Sequence, residues 1–210
     1  MDGSWVDRLE KRFGFLAAPG LPTFVVGMTA VVGLLREFKP EFVDILALDP
    51  VGLAHGQVWR AVSFLFVPPP VGALWLVLWI AMEYAVLQAL EAAWGEFKLT
   101  VFVATGLILT GLGAIAVGIP FGNSVLVLGA FLAFARLLPD REVLVMFVLP
   151  VKLRWLAVLS GLWAALEFVT SGVPGKVQLA TGLAPYLLFF GEGHWQELRF
   201  AWRRWKNGLP

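Results

Sequence analysis

The chain has no cysteine, two histidines and two tyrosines in 210 residues, and only 15% of it is charged. The first absence excludes disulfides and thiol chemistry, and the second leaves few side chains able to act as a base near neutral pH. The scarcity of charge excludes an ordinary soluble surface, where about a quarter of residues are ionisable. Net charge is +1, with no basic block of the kind that binds nucleic acid, so no nucleic-acid partner is expected. Hydrophobic residues make up 59% of the chain and mean hydropathy is +0.80. That is the composition of a polytopic membrane protein, all-α and one domain in size.

Six apolar runs are expected as helices, over residues 21–35, 71–93, 99–118, 125–138, 153–169 and 177–190. The first, fourth and sixth are short for a full crossing, which implies tilted helices or inner ones shielded by the rest. A further run, 143–149, ends at Pro150 and is too short to span; it reads as a dip into the interface or the approach to the fifth helix. Ahead of the first run, Trp5, Leu9, Phe13 and Leu16 recur at helical spacing opposite Asp7, Arg8, Glu10 and Lys11, as in an interfacial helix. The expected organisation is an interfacial segment 1–20, a membrane domain 21–192 and a basic tail 193–210. Nothing in residues 1–15 reads as a cleaved signal peptide.

The basic residues set the orientation. With both termini cytoplasmic, inner segments hold twelve of them, namely Arg8, Lys11, Arg12, Lys98, Arg136, Arg141, Lys152, Arg154, Arg199, Arg203, Arg204 and Lys206. The outer segments hold Arg36, Lys39, Arg60 and Lys176. The long outer connection, 36–70, contains Trp59 and Arg60, an interfacial anchor and a guanidinium able to donate to several loop carbonyls at once. The tail mixes Trp195, Trp202 and Trp205 with its basic residues, a composition that fixes orientation and is drawn to anionic lipid.

Three groups of residues carry a resemblance. They are Gly56-Gln57-Val58-Trp59-Arg60 before the second run; Leu90-Glu91-Ala92-Ala93-Trp94-Gly95 at its end; and Gly122-Asn123-Ser124 with Gly129, Leu138-Pro139-Asp140-Arg141 and Leu149-Pro150-Val151-Lys152-Leu153-Arg154-Trp155 through the fourth and fifth. In this order on six helices they resemble the rhomboid intramembrane serine proteases and their inactive relatives. The resemblance implies a six-helix bundle in a bacterial inner membrane, with a serine on the fourth helix facing a histidine on the sixth. The departures fall on the chemistry. Val125 stands where the family has a second glycine after the serine, and matching the family's Ala-His-x-x-Gly to Gly182 puts Leu179 at the base position. The oxyanion-side positions of the second helix fall on Trp75 and Trp79, with Asn123 beside the serine. Indole offers one N–H on a bulky ring and is no substitute for the usual donors.

Ser124 as a nucleophile therefore needs another base. His194 lies on the inner side and His55 in the outer loop; Lys176, near the start of the sixth helix, would make a Ser–Lys pair. The plainer reading has Asn123 or Ser124 capping a buried helix. The expectation is a rhomboid-like protein that lacks protease activity and binds membrane lipids and the transmembrane helices of client proteins. An intramembrane serine protease using Ser124 with an unconventional base is the alternative. Glu83 and Glu167, at membrane depth, support a second alternative, a small transporter; their plainer reading is a carboxyl hydrogen-bonded to a neighbouring helix. No cofactor or metal is expected. Gly106, Gly111, Gly113 and Gly118 in the third run, with Gly129 and Gly182, read as close helix contacts.

Overall fold

The structure, a computed structural model, describes residues 5–145 and 149–206. The protein is all-α apart from one short hairpin. Helix α1 covers Trp5–Phe13, and α2 follows over Leu21–Phe38. Gly20, at φ 71°, makes the turn into α2, and Pro22 sits in its first turn, where no N–H is missed. The long connection 39–72 folds into three short helices, α3 (Phe42–Leu46), α4 (Pro50–Ala54) and α5 (Arg60–Ser63), and a 3₁₀ turn, Phe64–Phe66. After Pro68-Pro69-Pro70 come α6 (Ala73–Trp94) and α7 (Glu96–Val117), joined by Gly95 alone at φ 84°. Helix α8 is Ser124–Leu137, α9 is Leu153–Thr170 and α10 is Val173–Lys206.

Helices α2, α6, α7 and α9 are long and apolar enough to cross a membrane, which makes this an integral membrane protein. At 1.5 Å per residue the 22 residues of α6 and of α7 reach about 33 Å, against about 30 Å of hydrocarbon. Helix α8, with 14 residues, reaches only about 21 Å and packs against α6, α9 and α10 in the middle of the bundle. Its shortness is tolerable because its neighbours, and not lipid, surround it. Helix α10 contacts α7, α8 and α9, and α2 lies on α6. Where α6, α7 and α10 meet, the Trp94 ring centroid lies within 5.2–5.7 Å of those of Phe102, Phe189 and Phe190.

Two features differ from the sequence expectation. The run 143–149 is part of an antiparallel hairpin, β1 (Glu142–Val145) with β2 (Leu149–Lys152), paired Glu142 with Lys152 and Val143 with Val151; residues 146–148 lie outside the described residues. Val143, Val145, Leu149 and Val151 are good strand formers, and the backbone pairing satisfies N–H groups that an extended interfacial dip would leave open. The boundary drawn at 193 falls inside α10, which continues without a break through Pro185 to Lys206. A charged segment at the end of an apolar helix can prolong it once it has left the membrane, since its own hydrogen bonds are already nucleated.

Val6 is buried, Asp7 pairs with Lys98 at 2.6 Å, and the Ala18 N–H donates to Thr100 Oγ1, so α1 is fastened to the base of α7. Phe13, Phe15 and Leu16 remain exposed, as a membrane-facing edge requires.

Candidate functional site

The long loop between α2 and α6 positions the site. Arg60 donates from Nε to Gln57 Oε1 at 2.6 Å and from one terminal nitrogen to the carbonyls of Asp44 (2.5 Å) and Ala47 (2.8 Å). The multiple-carbonyl role read from the sequence is therefore realised. Gly52 is required beneath it, because a Cβ there would lie 2.6 Å from Arg60 Nε. Trp59 donates from its indole to Ile45 O, and Asp49 caps α4 by accepting from Val51 N and Gly52 N. The Phe121 N–H donates to Leu48 O at 3.2 Å, which ties this loop to the turn just before Ser124. Arg36 forms a second clamp that the sequence did not signal, donating to the carbonyls of Pro68, Pro69 and Val71. The clue available was its place at the end of a helix facing a triple proline, whose carbonyls have few other donors.

Ser124 is the first residue of α8 and exposed, and its hydroxyl has no hydrogen-bond partner among the described residues. The capping role is not what the structure contains: Asn123 occupies the N-cap with helical φ/ψ, and neither it nor Ser124 caps by a side chain. Asn123 instead donates both protons of its amide nitrogen across to the 3₁₀ turn, to Leu65 O (2.7 Å) and Val67 O (3.1 Å). Those carbonyls belong to a buried turn and have a stronger demand for donors than a helix end that reaches water. With both protons committed, Asn123 has none left for an oxyanion.

Val125 and Leu179 are brought together. With Ala164 of α9 they form one buried cluster, Leu179 only 2% exposed. Gly182 lies under Val125: a Cβ at 182 would be 2.7 Å from Val125 Cβ and 3.3 Å from Leu126 N. One turn on, a Cβ at Gly129 would come within 3.3 Å of Gly182 O, so α8 and α10 cross backbone to backbone here. Of the α7 glycines, Gly106 and Gly113 are close contacts too, against Leu126 and Thr181. Gly111 has nothing within 4 Å, and Gly118 closes α7 in the left-handed region at φ 74°. Gly122 is exposed, and Glu91 keeps a buried Oε1 without a partner among the described residues.

The other candidates stand apart. Trp75 is 55% exposed in the first turn of α6, and Trp79, one turn on, is half-buried. His55, exposed at the end of α4, has Nδ1 2.7 Å from Val51 O. His194 has Nε2 2.6 Å from the Tyr186 hydroxyl, in a link that continues through Glu197 to Arg136 at the end of α8. That hydrogen bond to Arg136 holds the Glu197 carboxyl below its ordinary range. Lys176 is half-buried near the start of α10.

Glu83 is buried on α6, in the cavity that it shares with Val25 of α2. Thr29, buried on α2, donates its own proton to Val25 O at 3.0 Å. The cavity, of about 40 Å³, is otherwise apolar, and Glu83 Oε2 has no partner among the described residues. Glu167 lies on α9 and does not line that cavity, so the two carboxyls share no site. Replacing Glu83 by Gln, which has the same shape and one donor to give, should leave the unfolding free energy in detergent within about 1 kcal/mol. A loss above about 2 kcal/mol, read from thermal or denaturant unfolding, would mean that a charged carboxylate was being held there.

Compared with models of protein families and with curated proteins, the chain matches none.

Proposed function

We propose that the chain is a rhomboid-like protein of six crossings, in a bacterial inner membrane with both termini cytoplasmic, that does not cleave peptide bonds and binds transmembrane helices of other proteins. The observation that carries this reading is the dry cluster of Val125, Ala164 and Leu179 next to Ser124. A serine hydroxyl becomes a nucleophile only with a base within hydrogen-bond reach. Here the residue at the family's base position is an aliphatic side chain packed on the residue that follows the serine. The motif residues that survive, Arg60 above all, are those that hold the outer loop in shape.

Client binding draws support from α9. Only 11% of its most apolar stretch is buried, against 28–33% in α2, α6 and α7. A helix so sparsely covered by its own bundle leaves a long face for another helix. The test is a photo-reactive residue at Leu159 of α9 in native membranes, with Ile108 of α7, which is about as exposed, as the control. Discrete protein adducts from 159 and none from 108 are expected. Equal adducts from both, or none from either, would remove the client-binding role.

A further inference from the structure

Between α6 and α9, at the end of the bundle where α6 and α8 finish and α9 begins, lies an open groove of about 830 Å³. That is within the 300–1,000 Å³ usual for a small-molecule site. Its floor on α6 is the stripe Ala81, Ala85 and Ala89, spaced four apart so that all three share one face, over a length of about 12 Å. Phe134 of α8 and Leu156 of α9 form the opposite walls. Apart from Gln88, whose amide nitrogen donates to the Tyr84 hydroxyl, these sides offer hydrocarbon, so what fills the groove along its length is hydrocarbon.

The rim is different in kind. Arg141 lines the groove where the chain leaves α8, its backbone fixed by Arg141 N–H to Leu138 O and Leu153 N–H to Arg141 O. Its guanidinium has no partner among the described residues, whereas its basic neighbours Lys152 and Arg154 both lean toward Asp140, at 3.8 and 3.3 Å. Glu142, the one acidic residue on the groove, follows it directly. An unpaired guanidinium fixed at the end of an apolar trough, beside a carboxylate, matches a phosphodiester with hydroxyl groups beyond it and an acyl chain behind it.

The geometry points to a glycerophospholipid site: an acyl chain lies along Ala81, Ala85 and Ala89, the phosphate rests on Arg141, and the headgroup hydroxyls reach Glu142. This site uses none of the residues around Ser124, so it stands whether or not the serine is inert.

Native mass spectrometry of the purified full chain tests it, with phosphatidylglycerol as the probe and diacylglycerol of the same acyl chains as the phosphate-free comparison. Wild type should retain one phosphatidylglycerol with at least tenfold preference over diacylglycerol. Arg141→Ala, at an exposed side chain, should abolish that preference. Ala85→Trp, which fills the trough, should weaken both lipids at least fivefold; Leu156→Trp from the other wall should do the same and stands in if the first variant does not fold. Equal retention of the two lipids by wild type would overturn the headgroup assignment. Phosphatidylglycerol binding unchanged in Arg141→Ala and in a trough-filling variant would overturn the site, as would a dimer that the filling variant dissolves, since the groove would then hold a second copy of the chain.

Discussion

Gly182→Ala should cost about 3 kcal/mol of stability, because the added Cβ would sit 2.7 Å from Val125 Cβ and 3.3 Å from the backbone nitrogen of Leu126. Neither atom is the free end of a flexible side chain, so α8 and α10 would have to separate along their crossing. The same substitution at Gly111, where nothing lies within 4 Å, should be neutral or slightly stabilising, since alanine is the better helix former. Removing Val125 Cβ should relieve the clash: Val125→Gly alone loses a buried side chain, yet in combination with Gly182→Ala it should show a coupling of about 2 kcal/mol. Unfolding in detergent of the four chains of this cycle gives the answer. Additivity within about 0.5 kcal/mol would mean that the two residues do not meet.

Arg60→Ala should lower stability by about 2–3 kcal/mol. The change strips donors from the carbonyls of Asp44 and Ala47 and from the Gln57 amide, and charge-assisted bonds of this kind are the stronger ones. Arg60→Lys should recover less than half of the loss, because one ammonium on a flexible stem cannot serve the acceptors of two separate nitrogens of a planar fork. Hydrogen exchange should also quicken at residues 44–57 in the alanine variant while α6 and α7 keep their protection. A melting point equal to wild type would make Arg60 a surface charge and the loop self-supporting.

The parts of this molecule that were legible from sequence share a physical origin. Long apolar runs bounded by Gly and Pro leave little choice in water or lipid, and the expected runs over 71–93, 99–118 and 153–169 match α6, α7 and α9 to within three residues at each end. Arg60 could be anticipated because its loop contains many carbonyls and few donors. Contacts between distant segments were not legible. Asn123 reads locally as a cap, and only the fold shows that Leu65 and Val67 present buried carbonyls opposite it. Glu83 could be flagged as a carboxyl at membrane depth, but the cavity that it shares with Val25 depends on how α2 lies on α6. Among the glycines, composition cannot separate Gly113, which touches Thr181, from Gly111, which touches nothing. The hairpin of β1 and β2 was hidden because four-residue strands beside Pro150 carry too little periodicity to be told from an apolar loop.

The account rests on Ser124 having an ordinary alcohol's reactivity. A fluorophosphonate probe applied to the wild-type chain in native membranes, with Ser124→Ala alongside and an active serine hydrolase as positive control, measures this directly. The packing of Leu179 against Val125 predicts no labelling of the wild type above the level of Ser124→Ala. Stoichiometric labelling of wild type that disappears in Ser124→Ala would contradict it and make the chain an intramembrane serine protease with a base other than the residue at 179.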